Sequence, residues 1–313
     1  MKFKKVIGAV IGVLALLRAT AQDADLDKML DDEMNKKKKQ ETEHTAATFK
    51  TTMLINGQTV ESTQAGILDF KISHRFGTLN SGAYNFFGLD NASIRLGLNY
   101  GISNRLSIGI GRSSFEKQFD GFLKYRLLWQ SMGKKNIPVS VTLLSSVMLK
   151  TIKDSMEIRV DSITSKKVKL NFSDRFYYAF QVLIARKFNE AFSLQVMPTM
   201  IHYNIVPTSD IKNDFYALGI GGRMKITKRT SIIAEYYYVF PGNNLPKMYN
   251  SFSLGYEIET GGHVFQLNFT NSRGMTERTF ITETTGRWSK GDIYFGFNVS
   301  RVFTLKHTKE QKW

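Results

Sequence analysis

The sequence predicts an all-β protein, a transmembrane antiparallel up-and-down β-barrel of about twelve strands that follows a short N-terminal periplasmic segment. Three observations predict this fold class. Segments in which apolar and polar residues alternate recur between residues 67 and 303, a pattern typical of an export signal precedes them, and the connections between them alternate in length. Alternation with a period of two indicates strands with two different faces.

Residues 1–21 have the pattern of a signal peptide. Lysines precede an apolar run at residues 6–17, which is too short to span a bilayer as a helix, and Ala19 and Ala21 have the spacing of a cleavage site. We therefore expect export and cleavage before Gln22. The sequence contains no cysteine, so neither a thiol-linked lipid anchor nor a disulfide can form.

Composition and charge exclude several classes of protein. A hydrophobic content of 42% with a mean hydropathy of -0.23 is too polar for a helical membrane protein and too apolar for a disordered chain. The formal charge is +16, and four cations but no acids precede Gln22, which leaves +12 for the mature chain. Because these cations are scattered and no nucleic-acid-binding motif is present, we expect anionic lipids or solutes as partners and no nucleic acid.

Residues 22–64 form a separate region between the signal peptide and the barrel. An acidic stretch followed by four lysines at residues 36–39 is typical of a solvated periplasmic tether or a frayed helix. Residues 48–60 contain Asn56-Gly57 between alternating flanks, which predicts a small hairpin. The sequence leaves open whether this hairpin lies in the periplasm or in the mouth of the barrel.

Residues 65–304 are predicted to form the barrel, and residues 305–313 a polar C-terminal tail. In the first strand, Leu68, Phe70 and Ile72 occupy one face and polar residues the other. A length of about ten residues suits a tilted strand that crosses the hydrocarbon layer. The predicted strands are residues 67–75, 94–102, 106–111, 120–129, 139–149, 176–187, 192–202, 215–226, 231–240, 251–259, 263–270 and 292–303.

The lengths of the connections separate by parity. The even-numbered connections are predicted to be tight, at residues 103–104, 132–136, 189–190, 227–228 and 260–262. The odd-numbered ones are residues 77–91, 114–117, 152–171, 206–212, 241–249 and 271–290, and all but the second are long. Outer-membrane barrels have short periplasmic turns and longer external loops, whereas a soluble β-sandwich has no reason to separate loop lengths in this way.

Four stretches of the sequence resemble a known family. They are SHRFG at residues 73–77, NSGAYN at 80–85, DGFLKYR at 120–126 and GDIYFG at 291–296. Together they are similar to an uncharacterised outer-membrane β-barrel family of Bacteroidota, over about residues 48–303. The resemblance implies a barrel in the cell outer membrane. It implies no substrate and no site residues.

If the apolar faces contact lipid, the polar faces line the lumen. The candidate lumen-lining residues are Asp69, Lys71, Arg75, Arg95, Lys124, Arg126, Glu235 and Glu257, with the cations on the first four strands and the two glutamates on the ninth and tenth. Opposed charges of this kind could orient polar or charged solutes in a narrow aqueous pore. They could equally pair across a plugged lumen.

Two external connections contain further candidates. Lys166, Lys167 and Lys169 could contact the phosphates of outer-leaflet glycolipid, although ordinary solvated loop charge is the simpler explanation. The last long connection, residues 271–290, could fold inward as a constriction or lid.

A lipid-modifying enzyme is the least favoured alternative. His74, His202 and Ser145 share the apolar parity but belong to the first, seventh and fifth strands, and no Gly-x-Ser-x-Gly motif or metal-ligand spacing of histidines is present. We expect no catalytic residue, metal or cofactor.

The working hypothesis from the sequence is a pore or channel for small polar or charged solutes. A non-conducting structural or partner-docking barrel is the alternative. The expected partners are outer-membrane lipids and glycolipid, small solutes and, during insertion, the barrel-assembly machinery.

Overall fold

The computed structural model describes residues 28–30, 32–34, 42–152, 158–160, 167–169, 171–206, 211–242 and 248–306. The predicted signal peptide, Lys166 and residues 307–313 of the predicted tail lie outside the described residues. The chain divides into two compact units. One comprises the chain up to Thr45 together with Gln130–Pro138, and the other comprises Ala46–Trp129 and the chain from Val139 onward.

The larger unit is a closed antiparallel barrel, in which the described residues form twelve strands. Each strand pairs with its neighbours in the chain, and the last pairs with the first to close the barrel. The predicted fold class and strand number are confirmed. The strands are β1 (Ile67–Thr78), β2 (Ala92–Gly101), β3 (Leu106–Ser113), β4 (Phe119–Leu128), β5 (Ser140–Leu149), β6 (Phe176–Lys187), β7 (Phe192–Tyr203), β8 (Asp214–Lys225), β9 (Thr230–Val239), β10 (Ser251–Glu259), β11 (His263–Thr270) and β12 (Tyr294–Thr304).

Short elements occupy the connections. Turns of 3-10 helix lie at Leu79–Ser81, Ala83–Gly88, Phe115–Lys117, Phe172–Arg175 and Trp288–Lys290, a π-helical turn lies at Arg278–Thr282, and Ile158–Val160 pairs with Lys167–Lys169. Residues 28–30 and 32–34 are helical. Within the described ranges, no helix has the length and apolar character needed to cross a membrane.

One even-numbered connection is longer than predicted. Between β4 and β5 the chain runs through residues 129–139, and Ser131–Gly133 pairs there with Thr42–His44. The pattern of residues 132–136 contains no sign of this pairing, because the partner lies far away in the sequence. The other four even-numbered connections are short, at residues 102–105, 188–191, 226–229 and 260–262.

The outward side chains form an apolar band around the barrel. On β2, Leu96 is 46% exposed while its neighbour Arg95 is 4% exposed, and the same alternation recurs on the other strands. Large exposed hydrophobic side chains include Leu98, Ile110, Leu123, Leu143, Phe180, Leu218, Ile220, Ile232, Leu254, Leu267 and Phe269. A continuous apolar surface of this extent is typical of a lipid-facing exterior.

The inner face differs from the expected polar interior on one side of the barrel. The inward side chains of β1 to β4 are mostly polar, but β5 to β9 contribute many apolar ones, among them Leu144, Met148, Tyr177, Leu183, Met197, Ile201, Phe215 and Tyr237. These side chains belong to one buried cluster with Leu54, Phe280 and other residues that are outside the strands. The inner face of β5 to β9 is apolar where these other segments of the chain pack against it with apolar side chains.

A charge placed in the outward band should destabilise the protein. Because Leu96 lies near the middle of β2 and faces outward, we expect Leu96→Lys to lower the free energy of unfolding in lipid vesicles by about 2 to 4 kcal/mol. The matched control Leu96→Ile should cost less than about 1.5 kcal/mol. Equal stability of the two variants in equilibrium unfolding would show that this face does not contact hydrocarbon.

Candidate functional site: the filled lumen

Two segments fill the space inside the barrel. We call residues 48–63 the plug and residues 271–286 the inward loop. Leu54 and Ile55 of the plug, and Phe280 and Ile281 of the inward loop, are at most 1% exposed. The lumen of the described barrel is therefore occupied by the chain itself.

The plug contains the predicted hairpin. Its turn is closed by a bond from the Leu54 amide to the Gly57 carbonyl, 2.8 Å, and by a bridge between Met53 and Gln58. The sequence left open the periplasm and the mouth of the barrel, and the structure places the hairpin within the lumen, where its turn contacts Glu235 in the middle of β9. The barrel unit therefore begins before residue 65.

Glu235, in the middle of β9, binds the turn of the plug. Its carboxylate accepts hydrogen bonds from three successive amides, those of Ile55 at 3.2 Å, Asn56 at 2.8 Å and Gly57 at 3.0 Å. Successive amides that point at one anion form a nest, in which each partial positive charge favours the carboxylate. The hydrogen bonds from the plug backbone therefore offset the free-energy cost of burying the Glu235 carboxylate.

Gly57 fits this site because it has no side chain. A Cβ atom at this position would lie 2.1 Å from the Tyr237 hydroxyl oxygen, and Tyr237 is completely buried. Any other residue would therefore have to displace the turn or the ring of Tyr237.

Arg75 of β1 contacts the same turn from another strand. Its guanidinium donates to Asn56 Oδ1 at 2.8 Å, and Asn56 Nδ2 donates to the Ser253 hydroxyl at 3.0 Å. Asn298 Nδ2 donates to the Ile55 carbonyl at 2.9 Å. Arg75 and Glu235 are thus connected through Asn56, and no open aqueous gap separates them.

Lys124 and Arg126 of β4 bind the second half of the plug. The Lys124 ammonium donates to Gln58 Oε1 at 2.9 Å and to the carbonyls of Thr59 and Glu61 at 3.2 and 3.1 Å. Arg126 forms an ion pair with Glu61 at 2.8 Å. Both side chains therefore have their hydrogen-bond acceptors in the plug.

Gln195 and Thr142 complete the contacts with this part of the plug. Gln195 Oε1 accepts from the Val60 amide and its Nε2 donates to the Gln58 carbonyl, both at 2.8 Å. The Thr142 hydroxyl donates to the Val60 carbonyl at 2.9 Å.

The remaining predicted lumen residues pair mainly with other wall residues. Lys71 lies 3.5 Å from Asp69 and also donates to Thr52 of the plug at 2.5 Å. Arg95 pairs with Asp120, with Nε 2.9 Å from Oδ1, and Glu257 pairs with Arg223 at 2.7 Å. All eight predicted lumen residues are buried inside the barrel. Five of the eight form ion pairs within the chain, whereas Arg75, Lys124 and Glu235 are hydrogen-bonded to neutral groups.

The inward loop is centred on Arg278, which is 1% exposed. Its guanidinium pairs with Glu116 from the connection between β3 and β4 and with Glu283 at 2.6 Å, and it lies 4.2 Å from the centre of the Tyr177 ring. Burial alone would lower the pKa of Arg278, but the two glutamates raise it above its ordinary value. The two ion pairs therefore fix the charged guanidinium of Arg278 inside the lumen.

The plug and the inward loop meet beside β2, β4 and β5. A small cavity of about 10 Å³ between them is lined by Asn56, Gln58, Glu277 and the Arg95–Asp120 pair, among others. Burial raises the pKa of Glu277, and the neighbouring Asp120 carboxylate adds to this effect. A cavity of this size has room for about one water molecule, so the junction is no passage for a solute.

Sequence reasoning missed several residues of this site. Asp120 and Arg223 share the inward parity of their strands, so the alternation alone could have identified them. Gln195 also has the inward parity of β7, so the alternation identifies it as a wall residue, but its contacts with the plug could not be predicted. Glu61 could not have been found in this way, because it lies in the plug. The parity rule identifies wall residues only.

The candidates outside the lumen form no common site. His202 Nδ1 lies 2.6 Å from Asp214 Oδ1, His74 stacks on Phe297, and β6 lies between Ser145 of β5 and His202 of β7. Lys167 and Lys169 lie in a short strand whose side chains are not described. Within the described residues, no three histidine, aspartate or glutamate side chains are grouped so that they could hold a metal ion.

Comparison with known proteins identifies one family model that matches residues 49–303, described as "Membrane bound beta barrel domain (DUF5777)". No curated protein matches the sequence. Among solved structures, the NanC porin is similar with 9% identity and a TM-score of 0.44 over 77% of this chain and 100% of that chain. An outer-membrane channel from Pseudomonas putida F1 is similar with 13% identity and a TM-score of 0.43 over 78% and 98%.

Loss of the Glu235 carboxylate should loosen the plug. In Glu235→Gln, a neutral amide faces three buried amide donors, so we expect the free energy of unfolding to fall by at least about 2 kcal/mol and proteolysis within residues 48–63 to accelerate. Glu190→Gln is the matched control, because this glutamate is 90% exposed in a turn, and it should change neither quantity. A Glu235 variant with the stability and protection of the wild type would contradict the assigned role.

Glu277 should make stability depend on pH. A carboxyl group whose pKa is raised on folding stabilises the fold below its unfolded-state pKa, and this contribution is lost as the pH rises through the folded-state pKa. We expect the free energy of unfolding of the wild type to fall from pH 4.5 upward more steeply than that of Glu277→Gln. Parallel curves for the two proteins in equilibrium unfolding would disprove this.

Proposed function

The chain belongs to the family of membrane-bound beta barrel domains, and we propose that it acts in the outer membrane as a non-conducting barrel with a structural or partner-docking role. The observation that carries this proposal is the filled lumen. The plug and the inward loop occupy it together, and the inward charges have partners within the chain. An even number of antiparallel strands with mainly short turns at one end supports the outer-membrane address.

The energetic cost of opening supports a closed resting state. Leu54, Ile55 and Val60 are at most 1% exposed, and exposing each to water costs about 1.5 to 3 kcal/mol. Withdrawal of the plug would also break its bonds to Glu235, Lys124 and Gln195. Since about 1.4 kcal/mol is a factor of ten in population, spontaneous opening would be rare.

A second candidate function is a gated channel for small polar or charged solutes. It is favoured by the chemistry of the plug contacts, which are largely hydrogen bonds and ion pairs that water could replace. The inward loop argues against it, because Phe280 and Ile281 fill the space beside Tyr237, Met197 and Tyr177 through apolar packing. A gated channel would therefore require both the plug and the inward loop to leave the lumen.

Conductance measurements with the purified full-length protein in planar bilayers separate the two functions. The non-conducting barrel predicts no discrete current steps, either for the wild type or for Glu235→Gln. The chain contains no cysteine, so Asn56→Cys with Ser253→Cys provides a reversible lock between plug and wall, at side chains whose polar atoms are 3.0 Å apart. Ion-selective steps in the wild type, or in Glu235→Gln, would refute the non-conducting barrel. Current steps of the double cysteine variant that appear only after its disulfide is reduced would also refute the non-conducting barrel.

A further inference from the structure

Many of the wall contacts of the plug are directed at its backbone. Glu235 accepts from three amides, Gln195 bonds one amide and one carbonyl, and Lys124 donates to carbonyls. Asn298 and Thr142 each donate to a further carbonyl. Amides and carbonyls are common to all peptides, so contacts of this kind give affinity with little dependence on sequence.

Two positions of the plug are restricted by shape. Gly57 faces the Tyr237 hydroxyl, which leaves no room for a side chain. Leu54 occupies the space left by Gly221 of β8, where a Cβ atom would lie 2.4 Å from Leu54 Cδ1. The wall therefore offers an aliphatic pocket and, three residues later, a contact that only glycine satisfies.

We propose that the lumen wall around the plug is a peptide-binding site, and that the plug is its intramolecular ligand. The class of ligand is a short peptide that forms a turn, with an aliphatic residue three positions before a glycine. Such a peptide offers successive amides to Glu235 and carbonyls to Lys124, Asn298 and Thr142. The site does not depend on whether the lumen conducts.

Covalent linkage makes the plug a strong competitor. Residues 64–66 alone connect it to β1, and a short tether corresponds to an effective concentration in the millimolar range. A free peptide can therefore bind measurably only when the plug is weakened. Gly57→Val weakens it through the clash with Tyr237 and substitutes no residue of the wall.

The test uses the full-length chain with Gly57→Val and Ser253→Cys, in detergent. The thiol introduced by Ser253→Cys would be the only one in the chain, and the Ser253 hydroxyl contacts Asn56, so the reaction of this thiol with a maleimide reports whether the plug has left. A fluorescein-labelled peptide with the natural sequence of residues 48–63 is then titrated and followed by anisotropy. Ser253→Cys alone is the control with an intact plug.

We expect the introduced thiol to react at least tenfold faster than in the control, and the peptide to bind saturably and to protect it. The same peptide with Gly57→Val should bind at least tenfold more weakly. A peptide of unrelated sequence that keeps leucine and glycine at these positions should bind within tenfold of the natural one. Adding Glu235→Gln to the protein should weaken the binding of the natural peptide and of the unrelated peptide at least tenfold.

Three results would each overturn the proposal: a reactive thiol without peptide binding, a thiol that stays protected despite Gly57→Val, and binding of the natural sequence alone. Gly57→Ala introduces the same clash with less volume and replaces Gly57→Val if the latter gives no folded barrel. In that variant, Tyr237→Phe should restore protection of the introduced thiol, because it removes the atom 2.1 Å from the added Cβ. Failure of this rescue would also count against the site.

Discussion

A closed barrel of twelve strands encloses more space than its own inward side chains can fill, and the rest of the structure follows from this constraint. About eight strands leave an interior just wide enough for side chains, whereas about sixteen or more leave an aqueous channel. A barrel of intermediate size must be filled by water or by additional chain. Here the chain supplies both the plug and the inward loop. The inner face of the barrel is largely apolar on β5 to β9, where it packs against apolar side chains of these segments.

Because the lumen is filled with chain, the inward charged side chains need partners within the chain. A charge removed from water is costly unless it is paired and hydrogen-bonded. Arg278 meets both conditions through two glutamates. Glu235 and Lys124 are hydrogen-bonded to neutral groups, Glu235 to three backbone amides and Lys124 to carbonyl oxygens. Four of the charged residues that suggested an aqueous pore, Arg75, Lys124, Arg126 and Glu235, thus hold the plug in place.

The sequence predicts the wall of this barrel much better than its contents. Alternation has a period of two in every strand, so it reveals which side chains face inward, including Asp120 and Arg223 once parity is applied consistently. The plug has no comparable signal. An Asn-Gly turn predicts a hairpin, but its place in the lumen depends on contacts with residues such as Glu235, far away in the sequence. The reason for the apolar inner face of β5 to β9 was equally hidden, because it depends on the positions of Leu54 in the plug and of Phe280 and Ile281 in the inward loop.

The two filling segments differ in how replaceable they are. The inward loop is held by apolar packing around Phe280 and by Arg278, whose partner Glu116 has a left-handed backbone with φ of 54°. Non-glycine residues in this region cost on the order of 1 to 3 kcal/mol and persist only where surrounding contacts require them. Many of the hydrogen bonds that hold the plug go to backbone groups that any peptide possesses. Of the two segments, the plug is therefore the one whose place another peptide can take.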